Sequence, residues 1–322
     1  MTPEQLRELR RGLPDFSEDA PLPPGLQDFC RHYGIDFALR GPELSHRAGV
    51  IRSGQYALMA HRWVQPGASR NLLLLHGYFD HSGLFGRLVE YGLSRDCNVL
   101  VFDLPGHGLS SGEPAVIDDF GDYGRAVADV LEAVALPELP HWVMAQSTGC
   151  AALVEFARAH PWPFSEAVLL APLVRPANWF RVRAAHVLLH RFIDSVERVF
   201  MENTSDRDFL DFVQRDPLQA RRVPVRWVGA LRRWVASLPA ADLGVGPALV
   251  VQGEQDRTVA WRYNLKIIQA LFPGSRVECL EDARHHLANE GDAIRARYFR
   301  MVDEYLGFQP APASGGSSKV QT

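Results

Sequence analysis

The sequence feature that most constrains the fold is a repeated alternation of short apolar runs with longer amphipathic ones. The short runs have strand length, and several are apolar on both faces, as expected for strands that helices cover on each side. They span residues 56–64, 71–77, 97–104, 141–146, 166–172, 248–254 and 276–282. Helical periodicity fills intervals at residues 84–93, 124–134, 148–159, 262–272 and 291–306. A strand followed by a helix, repeated, predicts an α/β fold with a mostly parallel, doubly wound sheet.

Residues 172–246 interrupt this alternation, and the two ends of the chain differ from it in composition. The interruption is rich in Arg, Trp, Phe and Val, which predicts a helical cap insertion over the sheet. The proline-rich stretch near residue 21 is predicted to break any early helix, so that both ends are peripheral. The predicted organisation is an N-terminal extension (1–45), a core (46–171 and 247–307), the cap (172–246) and a disordered tail (308–322).

Composition argues against several classes of function. A formal net charge of -4 disfavours a nucleic-acid binder, because phosphate recognition normally leaves a basic footprint. The N-terminal residues hold no continuous apolar segment, so we expect neither a signal peptide nor a membrane anchor, and a cytoplasmic location is the default. The cysteines lack metal-ligand spacing, which predicts buried, reduced thiols and no metal site, and no cofactor is expected. They are Cys30, Cys97, Cys150 and Cys279.

A serine at the end of one apolar run has the surroundings of a catalytic nucleophile. Ser147 follows HWVMAQ and opens the helical segment TGCAALVEF, which is the strand-turn-helix setting of a nucleophile elbow. Such a turn needs small residues two positions before and after the serine, and Ala145 and Gly149 meet that demand. The start of the helix also directs N–H groups toward a developing oxyanion. The alternative interpretation is a simple N-cap serine.

A serine hydroxyl needs a base, and the base needs an orienting acid. Asp256 follows the run ALVVQGE and His285 follows RVECLED, which gives the order serine, acid, histidine expected for this type of sheet. His286 is an alternative base, although a short loop is expected to aim only one of the two histidines inward. Glu254 and Asp282 are alternative acids, but one lies nearer its strand end and the other precedes the histidine too closely.

Three further segments resemble the α/β-hydrolase superfamily, and within it the monoacylglycerol lipase and lysophospholipase-like serine hydrolases. HGYFDHSGLF (76–85) is similar to the HGxxxHS oxyanion loop of that group, and FDLPGHGLSSGEP (102–114) to its D-x-x-GHGxSxG segment. ARHHLANE (283–290) is similar to its histidine loop. The resemblance covers roughly residues 46–306 and is weakest in the cap. The chain departs from the family at AQSTGC, where GHSMGG is usual, and at the second histidine.

The resemblance implies roles for individual residues. It places the catalytic histidine at His285 and implies that Tyr78 and Thr148 supply backbone N–H groups to an oxyanion hole. His107 is expected to be structural. Asp103 lies at a strand end but precedes the serine in the chain, which breaks the expected order of the triad.

Taken together, these residues predict a serine hydrolase that cleaves carboxylic esters through Ser147, His285 and Asp256 and an acyl-enzyme. The aromatic cap favours lipid-like substrates such as a monoacylglycerol or a lysophospholipid. An alternative interpretation is that its rings form the core of the cap. They are Trp179, Phe180, Phe192, Phe200, Phe209, Phe212, Trp227 and Trp234.

The cap is also rich in arginine, for which two interpretations stay open. These side chains either meet a phosphate headgroup or a membrane surface, or form a solvated face. They are Arg175, Arg181, Arg183, Arg221, Arg222, Arg232 and Arg233. The expected partner is a small-molecule ester, with transient contact to a membrane surface left open and no nucleic acid. The competing functions are an amidase, peptidase or lactonase on the same triad, and a non-catalytic hydrolase-like binding protein.

Overall fold

The computed structural model describes residues 1–17, 21–39, 41, 43–239 and 241–308. Its strands are Ser45–Ser53 (β1), Tyr56–Val64 (β2), Arg70–Leu75 (β3), Cys97–Phe102 (β4), His141–Gln146 (β5), Phe164–Leu170 (β6), Ser195–Glu197 (β7), Arg222–Pro224 (β8), Leu249–Gly253 (β9) and Arg276–Leu280 (β10). One sheet of the described residues has the order β1-β2-β4-β3-β5-β6-β9-β10, and β7 pairs with β8. β2 runs antiparallel to β1 and β4, and the other pairs of this sheet are parallel. The predicted mostly parallel, doubly wound sheet is confirmed.

Helices cover both faces of the sheet. They span Pro3–Arg11 (α1), Pro24–Tyr33 (α2), Gly86–Leu93 (α3), Gly121–Ala133 (α4), Thr148–Ala159 (α5), Trp179–Leu189 (α6), Arg207–Arg215 (α7), Val225–Ser237 (α8), Trp261–Leu271 (α9) and Asp292–Tyr305 (α10). Buried side chains of α4, α5, α8 and α9 form one core, and those of α1, α2, α3 and α10 form the other. Successive residues of β4 point alternately into these two cores, as strand geometry requires. None of the described helices is long and apolar enough to span a bilayer.

The sequence suggests a peripheral N-terminal segment but leaves open whether the residues before about Leu44 pack on the core, and in the structure they do. A capping box between Thr2 and Gln5 starts α1, and Pro24 occupies the first turn of α2, where its missing N–H costs nothing. Leu26 and Phe29 of α2 are fully buried in the core beneath the sheet. The proline-rich stretch therefore separates two packed helices instead of ending the ordered chain. The predicted tail at the other end lies, from residue 309, outside the described residues.

The cysteine prediction is correct for three of the four residues. Cys30, Cys97 and Cys150 are buried, but Cys279 is exposed. Cys279 lies on β10, which is an edge strand of the sheet, so that part of its surface faces solvent. The sequence correctly predicts a strand for the apolar run around Cys279, but the run alone does not show that this strand lies at the edge of the sheet.

Residues 172–246, for which we keep the name cap as a label of the segment, form α6, α7, α8 and the β7–β8 ribbon. Trp227 and Trp234 of α8 are buried in the core that also holds α4 and α5, and their indole N–H groups donate to Tyr123 of α4 and Glu155 of α5, so this helix packs against those two helices. Phe180 and Phe192, at α6 and just after it, are instead strongly exposed. The rings of the predicted cap thus divide into an inner set that packs on the core and an outer set that faces solvent.

A buried carboxylate joins α7 to the rest of the molecule. Asp216, which directly follows α7, accepts hydrogen bonds from the Tyr33 hydroxyl at 2.7 Å and from His81 Nε2 at 2.9 Å. Burial acts to raise the pKa of Asp216, but the charge and the hydrogen bond of His81 outweigh it and lower that pKa to about 2. One side chain thereby connects the cap, the N-terminal helices and the loop after β3.

Phe29→Ala tests whether the N-terminal helices belong to the cooperative fold. The lost burial and the cavity left behind are expected to reduce the free energy of unfolding by about 3–5 kcal/mol, measured by urea denaturation. Phe180→Ala is the matched control, because its ring is 75% exposed and its removal is expected to cost less than about 0.5 kcal/mol. Equal effects of the two variants would contradict the packing described for α2.

Asp216→Asn tests the carboxylate that joins the cap to the core. The folded pKa of Asp216 lies below its ordinary value of 3.8, so its charge stabilises the fold above about pH 4, and this contribution is lost as pH falls toward 2. At pH 6, below the raised pKa of His81, the variant is expected to be less stable than wild type by an amount on the order of 2 kcal/mol.

The same measurement at pH 5, 4 and 3 is expected to give a constant difference down to pH 5 that shrinks by pH 3. Asp211→Asn is the control, since its pair with Arg215 is solvent-exposed and spans 3.8 Å. A difference for Asp216→Asn that stays constant from pH 6 to pH 3 would show that the carboxylate charge does not stabilise the docked cap.

Candidate active site

The turn between β5 and α5 holds Ser147 in a strained conformation. Its backbone has φ 52° and ψ -111°, in a region that non-glycine residues rarely adopt. The turn is held from both sides, because β5 lies inside the sheet and α5 is buried along most of its length. A side chain on Gly149 would meet the Leu75 carbonyl oxygen at 2.4 Å, which explains why this position is a glycine. In this turn the serine lines a cavity of the structure.

Ser147, His285 and Asp256 form a continuous line of hydrogen bonds. His285 Nε2 lies 3.0 Å from Ser147 Oγ, and His285 Nδ1 lies 2.7 Å from Asp256 Oδ2. All three residues are buried. The structure therefore brings together the three residues that the sequence predicts as the triad, although they come from three different loops at the carboxyl ends of β5, β9 and β10.

The carboxylate of Asp256 is held by several donors. The backbone N–H groups of Thr258 and Val259 donate to its Oδ1, and the Gln252 amide donates to its Oδ2. Burial acts to raise the pKa of Asp256, but the charge and hydrogen bond of His285 and these donors lower it overall. An ionised Asp256 accepts the Nδ1–H of His285, which leaves Nε2 free to accept the serine proton.

A side chain next to the serine holds the histidine loop in place. The Gln146 amide donates to the His285 carbonyl at 2.8 Å, and its oxygen accepts from the backbone N–H of Ala288 at 3.1 Å. Gly253 permits the loop to pass close to β9, because a Cβ there would meet the Arg284 carbonyl at 2.3 Å. This role of Gln146 is not predicted by the sequence pattern. The available signal was that AQSTGC departs from the usual GHSMGG at this position.

The two residues predicted to form the oxyanion hole both line the cavity that contains Ser147. Among the described residues, neither the Tyr78 nor the Thr148 backbone N–H has a hydrogen-bond acceptor. The Tyr78 ring stacks on Trp227 of α8 with centroids 3.9 Å apart, and its hydroxyl donates to the Ala115 carbonyl at 2.6 Å. These contacts fix the loop that carries one of the two N–H groups.

The expectation that only one of the two histidines points inward is wrong. His286 is buried and lines the same cavity as His285, and its Nε2 lies 3.0 Å from Asp80 Oδ1. Burial acts to lower the pKa of His286 and to raise that of Asp80, but their mutual attraction raises the pKa of His286 and lowers that of Asp80 to about 2. His286 therefore pairs with the loop after β3 instead of with the serine. A partner 206 residues away in the chain left no local signal.

The other residues weighed as acids or bases have structural positions. Asp103 is buried and accepts from the backbone N–H groups of Ser82 and Leu109, which ties two loops together. Asp282 pairs with Arg297 at the surface. Glu254 is exposed, and Asp256 is the carboxylate that contacts His285.

The cavity at Ser147 has a volume of about 270 Å³ and extends under the residues between β6 and β9. Of the aromatic residues predicted there, Phe200, Phe209 and Trp227 line it. Several other residues of the lining are not predicted by the sequence pattern, because their positions depend on how the cap docks. They include Phe79, Asp80, Arg198, Met201, Leu210 and Val213.

Three side chains that the sequence did not connect lie together near the N-terminal helices. Ligand atoms of Cys30, His46 and His61 are within 4.8 Å of one another, although their spacing in the chain predicts no metal site. His46 Nε2 and His61 Nδ1 lie 3.1 Å apart, which is a hydrogen-bond distance. Burial lowers the pKa of both imidazoles. None of the three belongs to the described lining of the cavity at Ser147.

Known proteins share both the sequence pattern and the fold. A family model described as "serine aminopeptidase, S33" matches residues 67–292. Human monoglyceride lipase is 28% identical over 288 residues, which cover 83% of this chain and 92% of the lipase. A pimeloyl-[acyl-carrier protein] methyl ester esterase of Chromobacterium violaceum is 36% identical over 214 residues, 65% of this chain and 77% of the esterase. A solved structure of a monoglyceride lipase variant from Saccharomyces cerevisiae aligns with a TM-score of 0.69 at 19% identity, covering 82% and 95% of the two chains.

Substituting the two adjacent histidines separately tests which one serves Ser147. His285→Gln removes the imidazole bonded to the serine, so we expect its reaction rate with a fluorophosphonate probe to fall by about 10³-fold or more. His286→Gln keeps His285 in place and is expected to lower this rate by less than about 10-fold. Circular dichroism checks that both variants fold. The reverse ranking would assign the base to His286.

Proposed function

The chain belongs to the α/β-hydrolase family described as serine aminopeptidase, S33, and we propose that it is a serine hydrolase of carboxylic esters with hydrophobic acyl groups. The observation that carries the proposal is the hydrogen-bonded line from Ser147 through His285 to Asp256, which opens on a largely apolar cavity. The similarity to a monoglyceride lipase and to a methyl ester esterase supports the same reaction class.

The first half of the proposed reaction forms an acyl-enzyme. His285 Nε2 takes the proton of Ser147 as Oγ attacks the ester carbonyl carbon, and Asp256 stabilises the resulting imidazolium through Nδ1–H. The carbonyl oxygen becomes an oxyanion that accepts from the backbone N–H groups of Tyr78 and Thr148. His285 then gives its proton to the leaving alcohol oxygen as the C–O bond breaks.

The second half releases the acid. Water enters after the alcohol leaves, His285 removes one of its protons, and the oxygen attacks the acyl carbon of the ester on Ser147. The same two N–H groups stabilise the second oxyanion, and loss of one such donor typically costs about 10²–10³-fold in rate. The proton then returns to Ser147 Oγ, which restores the starting state.

The lining of the cavity favours an ester over a peptide with a free amino terminus. An α-ammonium group needs a carboxylate partner when it is buried. In the described lining, the carboxylate is that of Asp80, and it is already bonded to His286. Apolar side chains such as Leu210 and Val213 suit an acyl chain, which is the basis for proposing monoacylglycerol-like or lysophospholipid-like substrates.

We also propose that the cap, residues 172–246, meets a membrane surface transiently while the enzyme resides in the cytoplasm. Apolar side chains at α6 and in the residues after it are strongly exposed, and arginines of the same segment lie among them. The exposed apolar side chains include Phe180, Leu188, Phe192 and Val199. A surface of this kind would let a single-chain lipid move from a bilayer toward the cavity.

Probe labelling and an acyl-chain series test the proposed activity. Wild type and the control Ser165→Ala are expected to react with a fluorophosphonate probe, and Ser147→Ala is not. On p-nitrophenyl esters, kcat/KM is expected to rise up to about fourfold for each added methylene, since each buries about 0.8 kcal/mol, until the cavity is full. Aminoacyl p-nitroanilides, assayed alongside, are expected to be poor substrates.

Labelling of Ser147→Ala at the wild-type rate would show that another residue is the nucleophile. Labelling of wild type without turnover of any ester would instead favour the alternative of a non-catalytic, hydrolase-like binding protein. Faster turnover of the aminoacyl anilides than of every ester would favour the alternative of a peptidase on the same triad.

A further inference from the structure

One charged side chain in the wall of the catalytic cavity has no place in the mechanism above. Arg198 follows β7 directly and lines the cavity together with Ser147 and His285. Arg198 is not among the arginines of the cap that the sequence pattern singles out. A guanidinium inside a mostly apolar cavity needs a physical explanation, because burying an uncompensated charge is costly.

The guanidinium of Arg198 is held rigidly on two sides. Its Cζ lies 3.9 Å from the centroid of the Phe79 ring and 4.3 Å from that of Phe200. Nη1 donates to Gln219 Oε1 at 2.8 Å and to the Ala220 carbonyl at 3.3 Å. Nε and Nη2 have no hydrogen-bond partner among the described residues. The flat group is therefore fixed in position with part of its donor edge unused.

Asp80 and Asp216, the two carboxylates whose charges act on the pKa of Arg198, are bonded to other groups. Asp80 is bonded to His286 at 3.0 Å, and Asp216 is bonded to His81 at 2.9 Å. Within the described residues, Arg198 consequently forms no ion pair. Burial lowers its pKa to about 10, so the group still carries its positive charge at neutral pH. Its hydrogen bonds go to neutral oxygens, which leaves the charge without a bonded counter-ion.

We infer that Arg198 binds an anionic group of the substrate, a phosphate or a carboxylate, and that the enzyme selects esters that carry such a group away from the scissile carbonyl. A guanidinium presents donors in a planar fork that matches both groups, and it binds them more strongly than it binds neutral oxygens. The inference rests on the proposed function and narrows its substrate class. Phe79 and Phe200 would hold the fork ready, so that little side-chain entropy is lost on binding.

Two pairs of esters distinguish an anionic group on the alcohol side of the ester from one at the end of the acyl chain. The first compares a 1-acylglycerol 3-phosphate with the 1-acylglycerol of the same chain, which places the charge on the alcohol side. The second compares monomethyl suberate with methyl octanoate, which places it at the end of the acyl chain. For each protein the measured quantity is the ratio of kcat/KM for the anionic ester to kcat/KM for the neutral one, so that a general loss of activity cancels.

Wild type is expected to prefer the anionic ester in at least one pair, and that pair identifies the source. Arg198→Met is expected to lower this ratio by about 10- to 100-fold, and Arg198→Lys to give an intermediate value because it keeps the charge without the fork. Arg221→Met is the matched control. It removes the same charge from an exposed position, 5.2 Å from the Phe200 centroid, and is expected to change the ratio less than twofold.

A binding measurement keeps the inference independent of turnover. Octyl phosphate and octanoate are titrated calorimetrically into wild type and Arg198→Met. We expect wild type to bind at least one of them about 10-fold or more tightly than the variant does, with 1-octanol as the neutral reference. Absence of ester hydrolysis would remove the proposed function, yet these titrations would still decide the role of Arg198.

Two results would overturn the inference. One is a wild-type ratio that favours the neutral ester in both pairs and does not change in Arg198→Met. The other is equal binding of both anions by the two proteins. Either result would show that Arg198 only packs between the two rings, where its loss would affect stability and all substrates alike.

Discussion

The geometry of the site depends on the strained turn at Ser147. A residue with φ 52° and ψ -111° does not hold that conformation by itself, so the surrounding structure must impose it. β5 is hydrogen-bonded on both sides within the sheet, and α5 is buried against it, so the turn has no room to relax. Gly149 lets the start of the helix approach the end of β3. Packing of the core thereby offsets the backbone strain and holds Ser147 Oγ 3.0 Å from His285 Nε2.

Buried carboxylate–histidine pairs connect the segments around this turn. Asp256 with His285 joins the ends of β9 and β10, and Asp80 with His286 joins the loop after β3 to the same histidine loop. A third pair, Asp216 with His81, joins the cap to that loop after β3. A charge that is buried without a partner is costly, so each pair strongly favours one arrangement of its two segments. The first pair belongs to the proposed triad, and the other two hold the loops that surround it.

The cap and the N-terminal helices shape the site more than their positions in the chain suggest. Trp227 of α8 stacks on Tyr78, whose backbone N–H belongs to the proposed oxyanion hole. Tyr33 of α2 donates to Asp216, so the N-terminal segment helps to hold the cap. Arg198 reaches the cavity only because the cap lies over it. The residues that we propose to govern substrate choice are therefore positioned by long-range packing around a core that resembles those of the relatives.

The sequence by itself determined the layered sheet, the family and the residues of the proposed triad. These follow from local patterns: β5 and α5 have the bounds that periodicity predicts, and Ser147, Asp256 and His285 each lie just after an apolar run. Only the tertiary structure decided that the N-terminal helices are buried, that His286 pairs with Asp80, that Gln146 clamps the histidine loop and that Arg198 lines the cavity. The physical reason is that each of these depends on a partner far away in the chain, and neither periodicity nor composition records which distant group a buried polar side chain will meet.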